Sequence, residues 1–309
     1  MPKFPLLPHV TILVPVGGDL AAFETSLISV LENRPADAEV IVAHDGSYDD
    51  PFDLQDEVRF VRADSSRVGD LITAGAAEAR ARFVHVIADG VRATPEWLEA
   101  GLRPFDDPHV GAVSPLVVAV DGATATAGWR DSPASTCRPV ISDSPPHRQR
   151  RDASVEGAYL AASFWRRETL RSLRGCYRGD CPLEASYLYG CLTRRAGWRI
   201  ASTGDCRLTT EQPEFPCEVP GFRHGQRLAA MRHLLSRERR GAAAARAARG
   251  LLAALLGRLP IGEAAGQACV LMATRDVATR FRVDPVWPDD RRPTVPMGGD
   301  SSRPSSRAA

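Results

Sequence analysis

The chain is organised around V-T-I-L-V-P-V-G-G (residues 10–18), which is followed by E-V-I-V-A-H-D-G-S (39–47) and F-V-H-V-I-A-D-G-V (83–91). Each run is apolar, rich in β-branched residues and of a length suited to a buried strand. Each also contains or closes on Gly or Asp-Gly, where the backbone can turn. The three runs therefore predict three buried strands, two of which end in an aspartate.

Helical segments alternate with these strands. The pattern predicts strands at 10–16, 39–44, 58–63, 83–88 and 110–118, with helices at 20–33, 69–81 and 95–103. Such alternation is typical of an α/β fold with a mostly parallel sheet flanked by helices. In an open sheet of this kind the ligand crevice lies outside the carboxyl ends of the strands. We therefore expect Pro15, Asp45 and Asp89 to lie close together at one edge.

Beyond residue 118 the pattern is less regular. Residues 119–155 are rich in Gly, Ser, Thr and Pro and predict a long loop. After it we expect a strand at 157–163, helices at 164–173 and 183–195, short strands at 198–202 and 206–210, and Arg- and Ala-rich helices from about 221, with Pro260 before a last helix at 261–282. The predicted division is a domain of residues 1–215, a basic amphipathic helical extension of 216–283 and a disordered tail of 284–309.

Charge is balanced over the whole chain and unbalanced within the extension. The 39 basic and 38 acidic residues almost cancel, so bulk charge does not indicate a polyanionic partner. Between residues 221 and 258, nine Arg accompany a single acid, Glu238. Aromatic residues are nearly absent from this segment, which argues against stacking on nucleic acid. The excess of positive charge suits an anionic surface instead.

Cysteine usage and the amino terminus indicate a cytoplasmic protein. The seven Cys form no C-x-x-C pair and no metal-ligand spacing with His, as expected of a reduced chain. Pro2, Pro5 and Pro8 interrupt any signal-peptide core. The longest apolar segments, 251–257 and 264–273, fall short of the roughly 20 residues that span a bilayer. We expect a cytoplasmic protein that can lie peripheral to the inner face of the membrane.

Several strings of the sequence resemble a known enzyme family. V-T-I-L-V-P-V, E-V-I-V-A-H-D-G-S-Y-D-D and V-H-V-I-A-D-G-V-R-A-T-P-E-W-L are similar to the nucleotide-sugar half of family-2 glycosyltransferases, which have the GT-A fold. The later G-A-Y-L-A-A-S-F-W-R-R-E-T-L and R-R-A-G-W-R-I resemble the acceptor half. The resemblance covers about residues 8–212. It implies inverting transfer of a sugar from a nucleotide-diphosphate sugar to a glycan, lipid or protein acceptor.

The resemblance implies a nucleotide-sugar site at the strand ends. Asp45 matches the second acid of the family's D-D-G-S and would accept a hydrogen bond from the nucleotide base, with Gly46 in the turn. Pro15, Val16 and Gly17 would form the loop along the nucleotide. An unmatched buried polar group costs about 1–3 kcal/mol, so such a carboxylate rejects bases that lack the ring N–H. The alternative for Asp45 is a turn residue capped on its own backbone.

Asp89 occupies the family's D-x-D position, where acids hold the ribose and a Mg²⁺ or Mn²⁺ ion on the diphosphate. Here the triplet is Ala88-Asp89-Gly90, so only the middle acid remains. One carboxylate can still hold a hydrated divalent ion beside substrate phosphates, and Asp89 is the candidate ligand. An ordinary Asp-Gly turn that ends a strand is the alternative.

The acceptor half supplies the candidate general base. Inverting transfer needs a group that removes the proton of the acceptor hydroxyl. The family's E-D motif falls near L-E-A-S-Y-L, where Glu184 is the nearest acid, with a one-residue slip, and Asp180 is the fallback. Ala185 or Ser186 replaces the family's Asp. An acid in the first turn of a helix that faces the macrodipole is the alternative for Glu184.

Other departures from the family leave a second function open. His44 replaces the first acid of D-D-G-S, Gly18 replaces the usual Asn, and Ile72-Thr73-Ala74-Gly75 replaces R-N-x-G. Together with the lost acids they support the alternative of a non-catalytic pseudo-glycosyltransferase binding module. A dinucleotide-binding oxidoreductase is excluded because no G-x-G-x-x-G follows the first strand.

The extension begins with F-R-H-G-Q-R-L-A-A-M-R (222–232). This string is similar to an H-G-R-x-x-A-x-x-R element that, in some bacterial members of the family, leads into helices near the membrane. Leu228, Met231, Leu234 and Leu235 would form one apolar edge with Arg on the other faces, a pattern that predicts a helix lying on anionic lipid. A helix packed on the catalytic domain with a solvated basic face is the alternative.

Overall fold

The computed structural model describes residues 8–122, 125–141, 155–211, 221–236 and 240–281, together with 285 and 287. Ten strands lie within this part of the chain: β1 (Val10–Pro15), β2 (Ala38–His44), β3 (Arg59–Arg62), β4 (Phe83–Ile87), β5 (Val91–Arg92), β6 (Val110–Ala119), β7 (Ala125–Arg130), β8 (Arg138–Ile141), β9 (Ala162–Arg166) and β10 (Arg199–Thr210). The α-helices of the same residues are α1 (Leu20–Asn33), α2 (Val68–Glu78), α3 (Trp97–Leu102), α4 (Arg167–Ser172), α5 (Pro182–Arg195), α6 (Phe222–Ser236), α7 (Arg240–Leu255), α8 (Ile261–Ala268) and α9 (Val270–Arg280).

The described strands form one mixed sheet in the order β3-β2-β1-β4-β9-β6-β10-β5, and β7 and β8 extend it from β6. Strands β1 to β4 pair in parallel, as do β6 and β10, whereas β9 runs antiparallel between β4 and β6. The expectation of an α/β fold with a mostly parallel, helix-flanked sheet is confirmed. The elements expected over residues 10–118 are all present, with ends that differ by a few residues.

The sheet has an apolar core on each face. Ile12 and Leu13 of β1 are both fully buried but belong to opposite cores, which explains why β1 is apolar at consecutive positions. Phe23 of α1 and Trp97 of α3 fill one core, and Leu188 of α5 lies in the other. Both faces are therefore covered, and only the strand ends and the loops beyond them reach solvent near β1.

One strand predicted beyond residue 118 has the wrong bounds. The strand expected at 157–163 is β9, which begins only at Ala162. Residues 157–165 are apolar or small throughout, so hydrophobic pattern alone could not fix the start. Gly157 instead forms a bridge with Trp129, and the N–H of Leu160 donates to Ser186 Oγ at 2.9 Å. Pairing with β4 starts at Ala162, opposite Ile87.

Three further elements are divided or joined differently from the prediction. The segment 119–155, expected as a loop, contains β7 and β8 among its described residues. The two short strands expected at 198–202 and 206–210 are one strand, β10, with an irregular register between Thr203 and Arg207. The helix expected at 261–282 is divided at Cys269 into α8 and α9.

The carboxyl-terminal helices pack on the rest of the protein. Helix α6 contacts α5, α8 and α9. Its residues Leu228, Met231 and Leu235 are 2%, 0% and 6% exposed, and Leu234 packs against the same core. The expectation that these four side chains form a lipid-facing edge is therefore wrong, because they complete the protein core. The alternative, a helix packed on the preceding domain, agrees with the structure.

The domain division stays a prediction. Its boundaries at 215/216 and 283/284 lie outside the described residues, as does the tail of 284–309 apart from 285 and 287. Within the described parts of the chain, no helix combines the length and the hydropathy needed to cross a bilayer.

The contact between α6 and α8 is tested by matched glycine substitutions. A Cβ at Gly225 of α6 would lie 2.3 Å from the backbone oxygen of Glu263, whereas a Cβ at Gly241 of α7 would meet nothing within 4 Å. We predict that Gly225→Ala lowers the free energy of unfolding by about 1–3 kcal/mol, as overpacking does. Gly241→Ala should raise it by about 0.5–1 kcal/mol because Ala favours helix. Urea unfolding measures both, and equal effects would contradict the close packing of α6 on α8.

Candidate functional site

Three parallel strands end at the same edge of the sheet. In the register, Pro15 of β1 lies beside Ala43 of β2, and Leu13 lies beside Val86 of β4. Extended past the paired residues, the same register would place Asp45 beside Gly17 and Asp89 beside Val16. With neighbouring strands about 4.8 Å apart, this extension separates the two backbones by about 10 Å, on either side of the loop after β1.

Asp89 is held against the backbone of that loop. A Cβ added to Gly17 would lie 2.4 Å from Asp89 Oδ2, so the carboxylate fills the space that a side chain would need. The group is half-buried, and burial raises its pKa, an effect opposed by a hydrogen bond from the backbone N–H of Asp19. A carboxyl with a raised pKa in a partly open position is typical of functional sites.

The loop after β1 exposes main-chain atoms rather than side chains. Pro15 and Val16 are buried, and the N–H of Val16 donates to the carbonyl oxygen of Ala43 at 2.8 Å. Gly17 is partly exposed, and Gly18 is exposed with nothing within 4 Å of a Cβ position. A ligand that approaches here meets the main chain of Gly17 and Gly18.

Asp45 is engaged by its own turn. Its carboxylate accepts hydrogen bonds from the Ser47 N–H at 3.0 Å and the Ser47 hydroxyl at 2.6 Å, and these bonds lower its pKa. Gly46 has a φ of 101°, which disfavours any side chain, and the guanidinium of exposed Arg62 packs 3.1 Å from its Cβ position. This geometry matches the turn-capping alternative. A contact with a base would require Asp45 to share or exchange its bonds to Ser47.

A cavity of about 500 Å³ lies beside this turn. His44, Tyr48 and Asp50 line it, and their Nδ1, Oη and Oδ1 atoms are buried without a hydrogen-bond partner in the described part of the chain. The Tyr48 ring is fixed by Phe23 and Phe60, with centroids 5.1 and 6.1 Å away. None of these three residues was expected to line a cavity. An aromatic residue within the acidic D-G-S-Y-D-D turn was the signal that could have identified them.

Glu184 is occupied by structural contacts. Its side chain in the first turn of α5 is 5% exposed, and it accepts a hydrogen bond from the Tyr177 hydroxyl at 3.0 Å. Arg227 of α6 lies 3.6 Å away on the other oxygen. Burial and the adjacent Glu184 charge raise the pKa of Tyr177, so the phenol remains protonated and keeps donating. These contacts connect α5 to the preceding loop and to α6.

The other candidates in this region differ in exposure. Asp180, on the loop before α5, is 88% exposed and forms an ion pair of 3.4 Å with Arg67, which directly precedes α2. Ser186, at a position where the family has its acid, is buried and donates to the carbonyl oxygen of Pro182 at 2.7 Å. Of these groups, only Asp180 presents an accessible carboxylate.

The donor set around Asp89 does not fit a dedicated metal site. The residue that follows is Gly90, and the nearby Asp19 carboxylate caps the N–H of Ala22 at 3.1 Å. Across the described residues, no group of three His, Cys, Asp or Glu side chains is placed to hold a metal ion. Among the described residues, Asp89 therefore belongs to no set of three metal-ligating side chains.

A second polar cavity, of about 570 Å³, lies between α5 and α6. Its buried carboxylate, Asp131, accepts hydrogen bonds from the Tyr187 hydroxyl and the Cys137 N–H, each at 3.0 Å, and pairs with Arg232 at 3.4 Å. Burial raises the pKa of Asp131, and the charge of Arg232 opposes that rise. Protein groups satisfy both oxygens, so this cluster joins α6 to the end of β7.

The raised pKa of Asp89 predicts a pH-dependent effect of Asp89→Asn. When the pKa of a carboxyl is higher in the folded than in the unfolded chain, the protonated group stabilises the folded state. This contribution is complete below the unfolded pKa of about 4 and is lost as the pH rises through the folded pKa. The neutral Asn should therefore make the protein more stable than wild type at pH 7, with a difference that narrows toward pH 4. Thermal unfolding between these values measures it. A variant that is less stable at pH 7 would contradict the assignment.

The sequence matches no family model and no curated protein. Among solved structures, it is similar to the mannosyltransferase PcManGT from Pyrobaculum calidifontis in complex with GDP-Man and Mn²⁺, with a TM-score of 0.55 and 16% identity over 89% of this chain and 88% of that one. TarS 1–349 from S. aureus gives a TM-score of 0.50 and 14% identity over 79% and 70%.

GalNAc-T7 with UDP, GalNAc and Mn²⁺ gives a TM-score of 0.48 and 13% identity over 66% of this chain, which spans only 44% of the GalNAc-T7 chain. Identities this low establish the fold alone. The chain has an α/β fold of the GT-A type.

Proposed function

We propose that the crevice at the ends of β1, β2 and β4 binds a nucleotide-diphosphate sugar and that the protein transfers the sugar to an acceptor hydroxyl. The observation that carries this proposal is the Asp89 carboxylate held against the Gly17 backbone at the crevice. PcManGT, which shares the fold, is a mannosyltransferase in complex with GDP-Man, and this supports the class of ligand.

The charges favour particular roles along the nucleotide. A carboxylate with a raised pKa repels a diphosphate but accepts readily from hydroxyl groups, so Asp89 is suited to the ribose. The main chain of Gly17 and Gly18 permits close approach of the nucleotide. At the base end, Asp45 is partly exposed, and the cavity of His44, Tyr48 and Asp50 offers further polar atoms. A divalent ion would take most of its ligands from phosphate and water, because Asp89 is its single protein candidate.

Transfer with inversion forms a bond from the acceptor oxygen to the anomeric carbon as the bond to the diphosphate breaks. The acceptor proton then needs a base. Glu184 would have to give up its bond with Tyr177, whereas Asp180 is exposed and bound only through a surface ion pair. The geometry therefore favours Asp180 over Glu184 in this role.

A non-catalytic binding module is the second candidate. The observation in its favour is the engagement of Glu184 in the fold, together with Ala185 and Ser186 at the positions of the family's acid. A binding module needs the nucleotide end of the crevice but no base. The two candidates therefore agree on nucleotide binding and differ only in turnover.

Nucleotide binding is tested by Gly17→Ala with Gly241→Ala as its control. A methyl group at Gly17 would collide with the Asp89 carboxylate, whereas one at Gly241, on α7 and outside the proposed site, has free space. Saturation of wild type with UDP, GDP or their sugars at 100 times the dissociation constant should add roughly 2.7 kcal/mol of stability. We predict that Gly17→Ala weakens binding at least tenfold and that Gly241→Ala does not. Thermal shift with and without Mn²⁺ gives the result, and no shift with any nucleotide would exclude both candidates.

The base is tested by Asp180→Asn and Glu184→Gln in sugar-nucleotide hydrolysis, with water as the acceptor. Loss of a general base typically lowers kcat by about 10²–10⁴-fold. We predict this loss for Asp180→Asn with little change in KM, and for Glu184→Gln mainly a lower melting temperature. A selective loss of kcat in Glu184→Gln would reverse the assignment. Nucleotide binding without turnover in wild type would establish the binding module.

A further inference from the structure

The junction of α7 and α8 exposes a cluster of large aliphatic side chains. The exposed fractions are 44% for Leu251, 57% for Leu252, 86% for Leu255, 61% for Leu256 and 76% for Ile261. Single exposed apolar residues are ordinary, but a contiguous group is not. The leucines form two consecutive pairs, 251/252 and 255/256, one helical turn apart, so they lie on one side of the end of α7, and Ile261 follows the turn. We refer to these five residues as the leucine tip.

The leucine tip is a fixed part of the fold. Gly257, with a φ of 67°, ends the helix, and the N–H of Arg258 donates to the carbonyl oxygen of Ala253 at 2.8 Å, the bond of a Schellman motif. Leu259 is 6% exposed and anchors the turn from inside. Further back, Gly250 packs against the carbonyl oxygen of Ala134. The aliphatic side chains are therefore presented by an ordered turn.

Positive charge surrounds the tip. Arg249 and Arg258 are exposed on the same segment, and exposed Arg223 follows Phe222, whose backbone lies 3.4 Å from the Cβ position of Gly262. No Asp or Glu occurs between residues 240 and 262. The next acid, Glu263, is 3% exposed and is bound by Ser135, Arg138 and Gln267. The surface is thus apolar at its centre and cationic at its rim.

Three partners could cover this surface: a second copy of the chain, the carboxyl-terminal segment or a membrane. Their charge and their content of apolar residues distinguish them. A second copy of the chain would bring the arginines of one tip near those of the other. Residues 288–309 have only Val295 and Met297 as large apolar side chains, too few to cover five aliphatic residues. A bilayer with anionic headgroups matches both features, because acyl chains accept the leucines and headgroups accept the guanidinium groups.

We propose that the leucine tip inserts into the interfacial region of an anionic membrane and holds the protein on its surface. The contact is monotopic: the side chains enter the boundary between headgroups and acyl chains, and the helices do not cross the bilayer. This site replaces the α6 edge expected from the sequence, which is buried. The inference does not depend on the proposed transfer reaction, so either can fail without the other.

The test is sedimentation of the full chain with vesicles of phosphatidylcholine, with or without phosphatidylglycerol. The variant Leu255→Gln/Leu256→Gln removes the most exposed part of the leucine face, and Ile28→Gln is the matched control, since Ile28 is 48% exposed on α1, which covers the opposite face of the sheet. Arg249→Gln/Arg258→Gln removes the charge alone. All these residues are exposed, and melting temperatures show that the variants fold.

We expect wild type and Ile28→Gln to bind the anionic vesicles, with binding weakened at least tenfold in the leucine variant. The arginine variant should lose several-fold in its preference for anionic over neutral vesicles. Failure of wild type to bind, or equal binding by the leucine variant, would overturn the proposal. So would a wild-type dimer in light scattering that the leucine variant converts to monomer without any vesicle binding, because the tip would then be a contact between copies.

Discussion

The alignment of β1 between two parallel neighbours determines the architecture of the site. Strands β2 and β4 hydrogen bond to β1 on either side, and their registers end all three strands at one edge. This alignment brings the Asp89 carboxylate against the Gly17 backbone, where no side chain other than hydrogen could be accommodated. The placement of Asp89 beside Gly17 is therefore a consequence of sheet register, and both apolar cores hold these strands in place.

The buried and half-buried carboxylates differ in the groups that donate hydrogen bonds to them or pair with their charge. Glu184 and Asp131 are bound by tyrosine hydroxyls and arginines, and Asp45 is bound by Ser47. Among the described residues, backbone N–H groups donate to Asp89, and burial, together with the nearby charge of Asp19, raises its pKa. A group kept at a cost to stability is a candidate for function. Asp89 is consequently a better candidate for a functional residue than Glu184.

Elements with a local signal could be predicted from sequence, and contacts set by distant residues could not. Strands such as β1 carry continuous β-branched runs, and α1 has the N-cap Asp19, so their positions follow from pattern. The leucines of α6 showed helical spacing, but spacing does not reveal whether a partner covers the apolar edge, and here α5 and α9 do. Likewise, the role of Glu184 depends on Tyr177 and Arg227, which no local motif connects to it.

We propose that the site at Gly17 and Asp89 receives a nucleotide-diphosphate sugar, and a crystal structure of the protein with such a ligand bound tests this most directly. We expect the nucleotide along the loop after β1, with a ribose hydroxyl within hydrogen-bond distance of Asp89 and the diphosphate near the main chain of Gly17 and Gly18. A nucleotide bound elsewhere, with Asp89 still contacting only the protein backbone, would contradict it.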